Sequence, residues 1–362
     1  MRNVIEPGTG NLLTSDVEAL VNTVNTVGVM GKGIALQFKR AFPANFRAYQ
    51  AACERGDVRL GHVWAFDTGV LGPRRYVLNF PTKQHWRSSS RLEDVSAGLE
   101  SLVTTVGELG VKSIAIPALG CGNGGLSWDE VRPLIEQACA RMPDVRAVVF
   151  APAGAPSPQA MPNATPQPPL TRSRALLVAA ISRYLERARL QEVRNGISEL
   201  EIQKLAYFLQ ALGAPLRLDF VRGTYGPYAP ALGQTLDAME GHHLTGLGDR
   251  SARVTEFVPI NPVRKSAEAA DDMLGRNGDD QEQLDALVRL VEGFETPYSL
   301  ELLATVHFAS THSPETADPQ ELADRVASWS LRKARMFTPR HVALAAQRLA
   351  EVRLLPTSTT AG

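Results

Sequence analysis

The chain has 362 residues, 44% of them apolar, and its 38 basic and 38 acidic side chains leave no net charge. This length accommodates two domains of roughly 100–200 residues each, and the balanced charge excludes a generally basic coat for nucleic acid. The three cysteines are few, odd in number and without the paired spacing of a metal site.

The first 150 residues alternate short β-rich runs with helical patterns. Strands are predicted at 19–24, 63–66, 76–80, 113–118 and 146–150, and helices at 34–42, 45–55, 92–109 and 128–141. This alternation indicates an α/β fold in which helices cover both faces of a sheet. The runs around Val21, Ile114 and Val148 are almost continuously apolar, as central buried strands require.

Two glycine-rich loops follow two of these strands, at residues 25–34 and 119–127. Each lies between the carboxyl end of a strand and a helix start, where open α/β sheets bind ligands. Glycine permits positive φ there and brings bare N–H groups against phosphate oxygens. Ser127 and Glu130 also fit a capping box, which predicts a helix whose positive end faces the second loop.

Three interpretations compete for these glycines. A Walker loop fails because Thr26 and Gly33 stand where it requires Gly and Ser or Thr. Gly120, Gly122 and Gly125 match the dinucleotide fingerprint, but that motif opens a βαβ unit, whereas this one lies near the end of the region. Two tight surface turns remain an alternative, although two such loops after buried strands favour a diphosphate clamp.

The first 150 residues resemble the macrodomain family. The resemblance is carried by Gly-Asn-Leu-Leu at 10–13, Ala-Leu-Val-Asn-Thr-Val-Asn at 19–25 and the two glycine loops. It implies a three-layer α/β/α fold with a mixed central sheet, and ADP-ribose clamped by its diphosphate and distal ribose. Many macrodomains read the adenine amino group with an Asp, which Asn11 replaces here, so adenine recognition is expected to be weaker or different.

The resemblance also implies which residues contact ADP-ribose. Asn22 and Asn25 are the candidates for the distal ribose. The full set comprises Asn11, Leu12, Asn22, Asn25, Gly31, Lys32, Gly33, Ile34, Gly120, Cys121, Gly122, Asn123, Gly124, Gly125 and Leu126.

Within the macrodomains, three longer motifs resemble the DarG-type DNA ADP-ribosyl glycohydrolase antitoxins. They lie at 22–35, 79–87 and 120–126. Protein-directed relatives pair a lysine with an aspartate in the second glycine loop, whereas this loop has Asn123 and no acid. The resemblance therefore implies hydrolysis of the N-glycosidic link between ADP-ribose and thymine in single-stranded DNA. We expect no cofactor and no metal.

Lys83 follows the strand at 76–80 and Pro81, which is expected to end that strand. From the sequence pattern alone, a single lysine in a loop is predicted to be a solvated charge. The resemblance instead implies that Lys83 is the catalytic lysine. Its ammonium can stabilise charge on the ribose or leaving base, or its amine can attack C1″. His85, Trp86 and Arg87 form either a packed Trp with polar neighbours or a platform for DNA, with indole stacked on a base.

A proline-rich segment separates the two halves of the chain. Seven of the eighteen residues from 152 to 169 are proline, which predicts a semi-extended linker. We therefore divide the chain into a macrodomain at 1–153, a linker at 154–172, a mainly α-helical domain at 173–356 and a disordered tail at 357–362.

Helices are predicted in the second half at 175–189, 200–212, 281–294, 319–328 and 339–352, with glycine- and proline-rich interruptions at 223–230 and 241–249. The motifs at 202–208 and 225–227 resemble a helical antitoxin domain. This resemblance implies binding of a cognate DarT-like DNA ADP-ribosyltransferase toxin. The structural alternative is a helical core in which Tyr207, Phe208 and Tyr225 pack. The basic side chains near Trp329 form either a nucleic-acid patch or a solvated face; they are Arg332, Lys333, Arg335 and Arg340.

The first residues lack the apolar run of a signal peptide, and the apolar stretch at 175–181 has only seven residues. We therefore expect a cytoplasmic protein without a membrane contact. Besides the toxin-binding DNA hydrolase, three functions stay open: an ADP-ribose-binding module without catalysis, a protein-directed hydrolase, and a structural antitoxin or DNA-binding regulator with a vestigial macrodomain.

Overall fold

The structure, a computed structural model, describes residues 5–190, 195–252, 256–311 and 319–355. The chain divides into two compact units, Met1–Pro166 with Gly248–Arg253, and Gln167–Leu247 with Val254–Gly362. The expected disordered tail at 357–362 lies outside the described residues.

The first unit is built on a mixed six-stranded sheet. Its strands are β1 (Ile5–Pro7), β2 (Ala19–Asn25), β3 (Trp64–Asp67), β4 (Tyr76–Lys83), β5 (Ser113–Ile116) and β6 (Arg146–Val149). Its helices are α1 (Gly33–Ala41), α2 (Pro43–Glu54), α3 (Leu92–Glu108) and α4 (Trp128–Ala140). The strand order is β1-β6-β5-β2-β4-β3, parallel except for the β3–β4 pair.

Helices cover both faces of this sheet, as the alternating pattern predicted. Val21 of β2 packs in the cluster that contains Leu99 of α3 and Val131 of α4. The adjacent Leu20 points the other way and packs with Phe38 of α1. The three-layer α/β/α arrangement with a mixed sheet is therefore confirmed.

Two local predictions in this unit are wrong. Pro81 does not end β4, which runs on to Lys83. Strand β3 pairs with β4 only as far as Asn79, so Pro81 lies where β4 has no partner on that side and a missing N–H is tolerated. Ser127 is the N-cap of α4, but its side chain makes no capping hydrogen bond; its carbonyl accepts from Glu130 and Val131 instead.

The first unit extends beyond residue 153, into the segment predicted as a linker. Residues 158–160 form a short 3-10 turn, and Asn11 Nδ2 donates to the carbonyl of Ala160 over 2.8 Å. The amide of Ala164 donates to the carbonyl of Arg40 at the same distance. These hydrogen bonds fix part of the proline-rich segment against the first unit.

The second unit is mainly helical, as predicted. Its helices are α5 (Arg172–Leu190), α6 (Glu199–Ala211), α7 (Pro230–Met239), α8 (Arg264–Leu274), α9 (Gly278–Val291), α10 (Pro297–Thr311), α11 (Pro319–Ala327), α12 (Leu331–Met336) and α13 (Pro339–Glu351). The interruptions contain short strand pairs, β7 (Val221–Gly223) with β8 (Gly226–Tyr228) and β9 (Leu244–Thr245) with β10 (Asn261–Pro262).

Helix α10 was not predicted because it has no polar face. Every residue from 300 to 308 is buried, so the apolar pattern loses the 3.6-residue period of a surface helix. None of the helices in the described parts of the chain is both long and apolar enough to cross a membrane.

A cluster of charges lies inside the second unit. Glu301 is buried and accepts hydrogen bonds from Lys333 Nζ and Arg332 Nη1, each over 2.6 Å. Lys333 is fully buried, so the expectation of a solvated face at this position is wrong. Lys204 Nζ donates to the carbonyl of Pro227 over 2.7 Å, and burial lowers the pKa of Lys204 to about 7. Tyr207 and Phe208 pack in the core, as predicted by the alternative in which these aromatic residues are structural.

Candidate active site

A cavity of about 870 Å³ opens in the first unit, between the two glycine loops. It lies beyond the carboxyl ends of β2, β4 and β5, the expected position for a ligand site in an open α/β sheet. Most of the predicted site residues line it: Asn11, Leu12, Asn25, Gly31, Lys32, Gly33, Ile34, Lys83, Trp86, Gly120, Gly122, Asn123 and Gly124.

Asn25 ends β2 and shapes the first glycine loop. Its Oδ1 accepts from the amides of Val27 (3.0 Å) and Val29 (3.2 Å), and the hydroxyl of Tyr49 donates to its carbonyl. Tyr49 is fully buried, and burial raises the pKa of its phenol, which keeps the hydroxyl protonated as a donor. The loop is therefore held from behind, with Asn25 at the cavity wall.

Asn22 does not reach the cavity. It is fully buried, and its Nδ2 donates to Asn79 Oδ1 over 3.0 Å, while Asn79 Nδ2 donates to Asn45 Oδ1 over 2.7 Å. This asparagine network ties β2 to β4 and α2. The assignment of Asn22 as a ribose contact is corrected accordingly, because its side chain points into the interior.

The first turn of α1 presents backbone amides at the cavity. The first four amides of a helix have no intrahelical acceptor, and together they carry the positive end of the helix dipole. The amide of Gly33 is occupied, since it donates to the carbonyl of Asp249 over 2.7 Å. Ile34 and Ala35 follow it in the cavity wall, and their amides belong to the first turn of α1, where an amide has no intrahelical acceptor.

Two glycines of the second loop, Gly120 and Gly124, leave no space for a side chain. Gly120 has φ +73°, and a Cβ there would lie 2.8 Å from Leu126 Cδ1. A Cβ on Gly124 would overlap Ser90 Oγ and the carbonyl of Gly120. The amide of Ser90 donates to the carbonyl of Gly124 over 2.9 Å, which anchors this loop to the start of the α3 segment. Glycine is therefore required here by close packing as well as by backbone angle.

Three other predicted contacts in this loop lie outside the cavity wall. Cys121, Gly125 and Leu126 form the turn itself, and the amide of Leu126 donates back to the carbonyl of Gly120 over 3.1 Å. Burial raises the pKa of the Cys121 thiol, which keeps it in the unreactive protonated form. These residues support the loop from behind.

Lys83 lies where the two loops approach each other. As the last residue of β4 it pairs with Asn25, after a register shift between Val24 and Asn25. Its Nζ donates to the main-chain carbonyl of Asn123 in the second loop over 2.9 Å. Burial lowers the pKa of Lys83. The sheet thus places a half-buried ammonium group at the cavity wall, between an amide side chain and a glycine turn.

Trp86 is not a core residue, because 46% of its surface is exposed and it lines the cavity. The guanidinium of Arg87 lies 4.4 Å from the centre of its ring, and the ring of His85 lies 5.2 Å away. His85 and Arg87 are outside the cavity wall. The three side chains form an aromatic and cationic surface at its mouth, suited to stacking on a base.

Several wall residues were not predicted. They are Gly10, Leu13, Thr23, Val24, Val29, Ala35, Gln37, Thr82, Pro117, Ala118, the residues 150–156, Asp249 and Ser251. The turn after β6 contributes residues 150–156 to the wall. Gly154, which adopts a φ of +78°, is the residue whose type could have indicated this turn from the sequence. No local motif marks Asp249 or Ser251. Within the described residues, no group of three or more His, Cys, Asp or Glu side chains has the geometry to hold a metal ion.

Comparison with known proteins shows which family the chain resembles. The family model of the macro domain matches residues 21–135. A DNA ADP-ribosyl glycohydrolase of Mycobacterium tuberculosis is 42% identical over 352 residues, which cover 96% of this chain and 99% of that protein. One of Thermus aquaticus is 45% identical over 339 residues, covering 93% of this chain and 90% of that protein.

A further relative joins two activities in one chain. It is a DNA ADP-ribosyl transferase–DNA ADP-ribosyl glycohydrolase fusion protein of Thermosipho africanus, 36% identical over 141 residues. The match covers 35% of this chain and 36% of the fusion protein. The similarity to the first two relatives, by contrast, extends over both units.

Proposed function

The chain belongs to the DNA ADP-ribosyl glycohydrolase family, and we propose that it is an antitoxin that removes ADP-ribose from thymine in single-stranded DNA. Hydrolysis breaks the bond between C1″ of the distal ribose and the base nitrogen. Water supplies the hydroxyl group to C1″ and the proton to the base. The cavity of the first unit is the site of this reaction.

The shape and electrostatics of the cavity support ADP-ribose as the bound group. Its volume of about 870 Å³ lies in the range of roughly 300–1,000 Å³ that accommodates ligands of this size. The diphosphate binds between the amides at the start of α1 and the second glycine loop. Both are positions where backbone donors meet an anion without a bulky side chain.

The observation that carries the catalytic proposal is the hydrogen bond from Lys83 Nζ to the carbonyl of Asn123. An ammonium has three donors, so two remain for the reacting ribose or the leaving base. Burial lowers the pKa of Lys83, whereas a carbonyl acceptor favours the charged ammonium over the neutral amine. We therefore assign Lys83 an electrostatic role, stabilising the negative charge that develops on the leaving base as the bond breaks.

Trp86 and Arg87 supply the contact to the DNA strand. An exposed indole at the cavity mouth stacks on a base that flanks the modified one, and the adjacent guanidinium meets phosphate. The second loop offers the main-chain carbonyl of Asn123 in place of a carboxylate. This composition supports a DNA substrate over a modified protein.

The test of this function offers two substrates at equal concentration, an ADP-ribosylated single-stranded oligonucleotide and an ADP-ribosylated protein. Released ADP-ribose is measured by mass spectrometry. We expect release from the oligonucleotide and none from the protein. Release from the protein alone contradicts the DNA assignment, and release from neither identifies a binding module without catalysis.

We further propose that the second unit binds the cognate DNA ADP-ribosyltransferase. The fusion protein of Thermosipho africanus, whose name joins the transferase with the glycohydrolase, supports a functional link between the two activities. A stable complex buries about 800 Å² on each partner, which a helical unit of this size can supply. Toxin binding then prevents the modification that the first unit reverses.

Co-expression of the toxin with full-length Lys83→Ala tests this second role, because the variant retains the second unit and is expected to lose most of its hydrolysis. We expect cell survival and co-purification of the two proteins. Loss of both growth rescue and binding would reject the second unit as a neutralising module.

A further inference from the structure

A short segment from the second half of the chain belongs to the first unit and touches the cavity. Residues 248–251, here called the strap, lie along one face of α1. The carbonyl of Asp249 accepts from the amide of Gly33 (2.7 Å), its Oδ2 accepts from Gln37 Nε2 (2.7 Å), and the carbonyl of Gly248 accepts from Arg40. Gly33, Gln37 and Arg40 are spaced by four and three residues, so the strap follows a single face of the helix.

The strap is also fixed internally and from its other side. Asp249 Oδ1 accepts from the amide of Ser251 over 3.0 Å and from its hydroxyl. Gly248, at φ +55°, lies against Pro158, with room for a Cβ at 3.4 Å from Pro158 Cγ. Asp249 is 4% exposed. Its carboxylate is therefore fully engaged in holding the strap against α1.

Both Asp249 and Ser251 form part of the cavity wall. Asp249 is the one acid among the described residues that line it. The residue expected to approach the adenine, Asn11, is already committed, because its Nδ2 donates to Ala160 and its Oδ1 accepts from Leu13. The strap thus places two polar residues in the wall of a site in which the Asn11 side chain is already engaged.

We infer that the strap is part of the ADP-ribose-binding site and that Asp249 is a positioning residue for the first turn of α1. This inference rests on the proposed function. By occupying Gly33 and Gln37, Asp249 fixes the direction in which the amides of Ile34 and Ala35 point. Binding then requires no reordering of these donors, which is the usual benefit of preorganisation.

The test compares Asp249→Ala with Asp249→Asn in the full-length protein. Alanine removes the bonds to Gln37 and Ser251, and we expect ADP-ribose affinity to fall about tenfold in calorimetry. The asparagine variant keeps an acceptor for Ser251 and can donate to Gln37 once that amide turns over. Its affinity should stay within about twofold of the wild type. Asp272→Ala, on the exposed surface of α8, is the matched control and should change nothing.

Kinetics separate positioning from a general loss of structure. The strap contacts the start of α1, whereas Lys83 lies at the end of β4. Asp249→Ala should therefore raise KM about tenfold and leave kcat within about twofold. Unchanged or tighter binding by Asp249→Ala overturns the inference. Equal losses in the alanine and asparagine variants overturn the positioning role, since they show that the charge itself is needed.

A double-mutant cycle gives a second, independent measurement. If Gln37 and Asp249 act through their mutual hydrogen bond, Gln37→Ala combined with Asp249→Ala should weaken binding little more than either change alone. Fully additive losses contradict the coupling. Failure of the proposed function has a different signature, because the wild-type protein would then release no ADP-ribose from modified DNA, whereas calorimetry would still compare ADP-ribose binding by the Asp249 variants.

Discussion

Each unit contains a lysine whose pKa is lowered by burial, but the two environments differ. Lys83 of the first unit is half-buried at an open cavity, with a main-chain carbonyl as acceptor. Lys333 of the second unit is fully buried and donates to Glu301 and to Thr305 Oγ1. A fully buried ammonium that is paired with a buried carboxylate specifies packing. A partly desolvated one with donors to spare is suited to act on a ligand.

The glycines of the first unit support the same contrast. At Gly120 and Gly124 close packing excludes side chains, so that only main-chain atoms of these two residues form the cavity wall. In the second unit, Gly226 lies against Thr305 Oγ1 and the Lys204 side chain, next to the buried charge cluster. Glycine therefore keeps side chains out of the cavity wall in the first unit and allows close packing around buried charges in the second.

The largest effect expected is on the stability of the second unit. Glu301→Ala leaves Lys333 without its carboxylate, and removal of one member of a buried ion pair costs about 3–5 kcal/mol. Urea unfolding should show this loss, whereas Glu282→Ala, an exposed acid of α9, should have little effect. ADP-ribose binding by the first unit should survive. If Glu301→Ala unfolds as the wild type does, the buried cluster is not structural.

Gly120→Glu should reduce ADP-ribose affinity more than about a thousandfold, or ~4 kcal/mol. The substitution strains a backbone at φ +73° and brings a carboxylate to the phosphate site. Calorimetry checks the loss. Gly107→Glu, which adds the same carboxylate to an exposed position of α3, is the matched control. Wild-type affinity in Gly120→Glu would show that the diphosphate does not bind at the second glycine loop.

Lys83→Ala should lower kcat by about a hundredfold, the usual consequence of removing one stabilising donor. Affinity for ADP-ribose should stay within about tenfold, because Lys83 acts away from the diphosphate. Release of ADP-ribose from modified DNA measures the first quantity and calorimetry the second. Lys112→Ala, at an exposed site outside the cavity wall, should retain full activity. Normal turnover by Lys83→Ala would show that Lys83, contrary to the role proposed for it, does not act on the substrate.

Trp86→Ala should produce the smallest change, raising KM for modified DNA about tenfold, since one base stacked on an aromatic contributes about 1–3 kcal/mol. Trp86→Phe keeps an aromatic surface and should recover most of the loss. Steady-state kinetics on modified oligonucleotides distinguishes the two variants. An alanine variant with unaltered KM would mean that the exposed indole does not contact the strand.

The sequence identified the elements of the first unit well because its patterns are local. The apolar runs located β2 and β5, and the glycines after them located both loops. Strand β1 was missed because three half-exposed residues carry no periodic signal. Helix α10 was missed for the opposite reason, since continuous burial removes the period.

The sequence alone predicted the α/β order of the first half, the helical character of the second and the two glycine loops of the cavity wall. These follow from hydrophobic periods and glycine positions within short stretches of chain. The sequence could not tell that Asn25 lines the cavity whereas Asn22 lies in the interior, because both side chains are buried in the same strand and only the packing of the strands separates them. Only the folded chain brings Asp249 to α1, where its carboxylate accepts a hydrogen bond from Gln37, 212 residues away in the sequence. No local pattern encodes such a contact, since the hydrogen bond exists only once distant segments pack together.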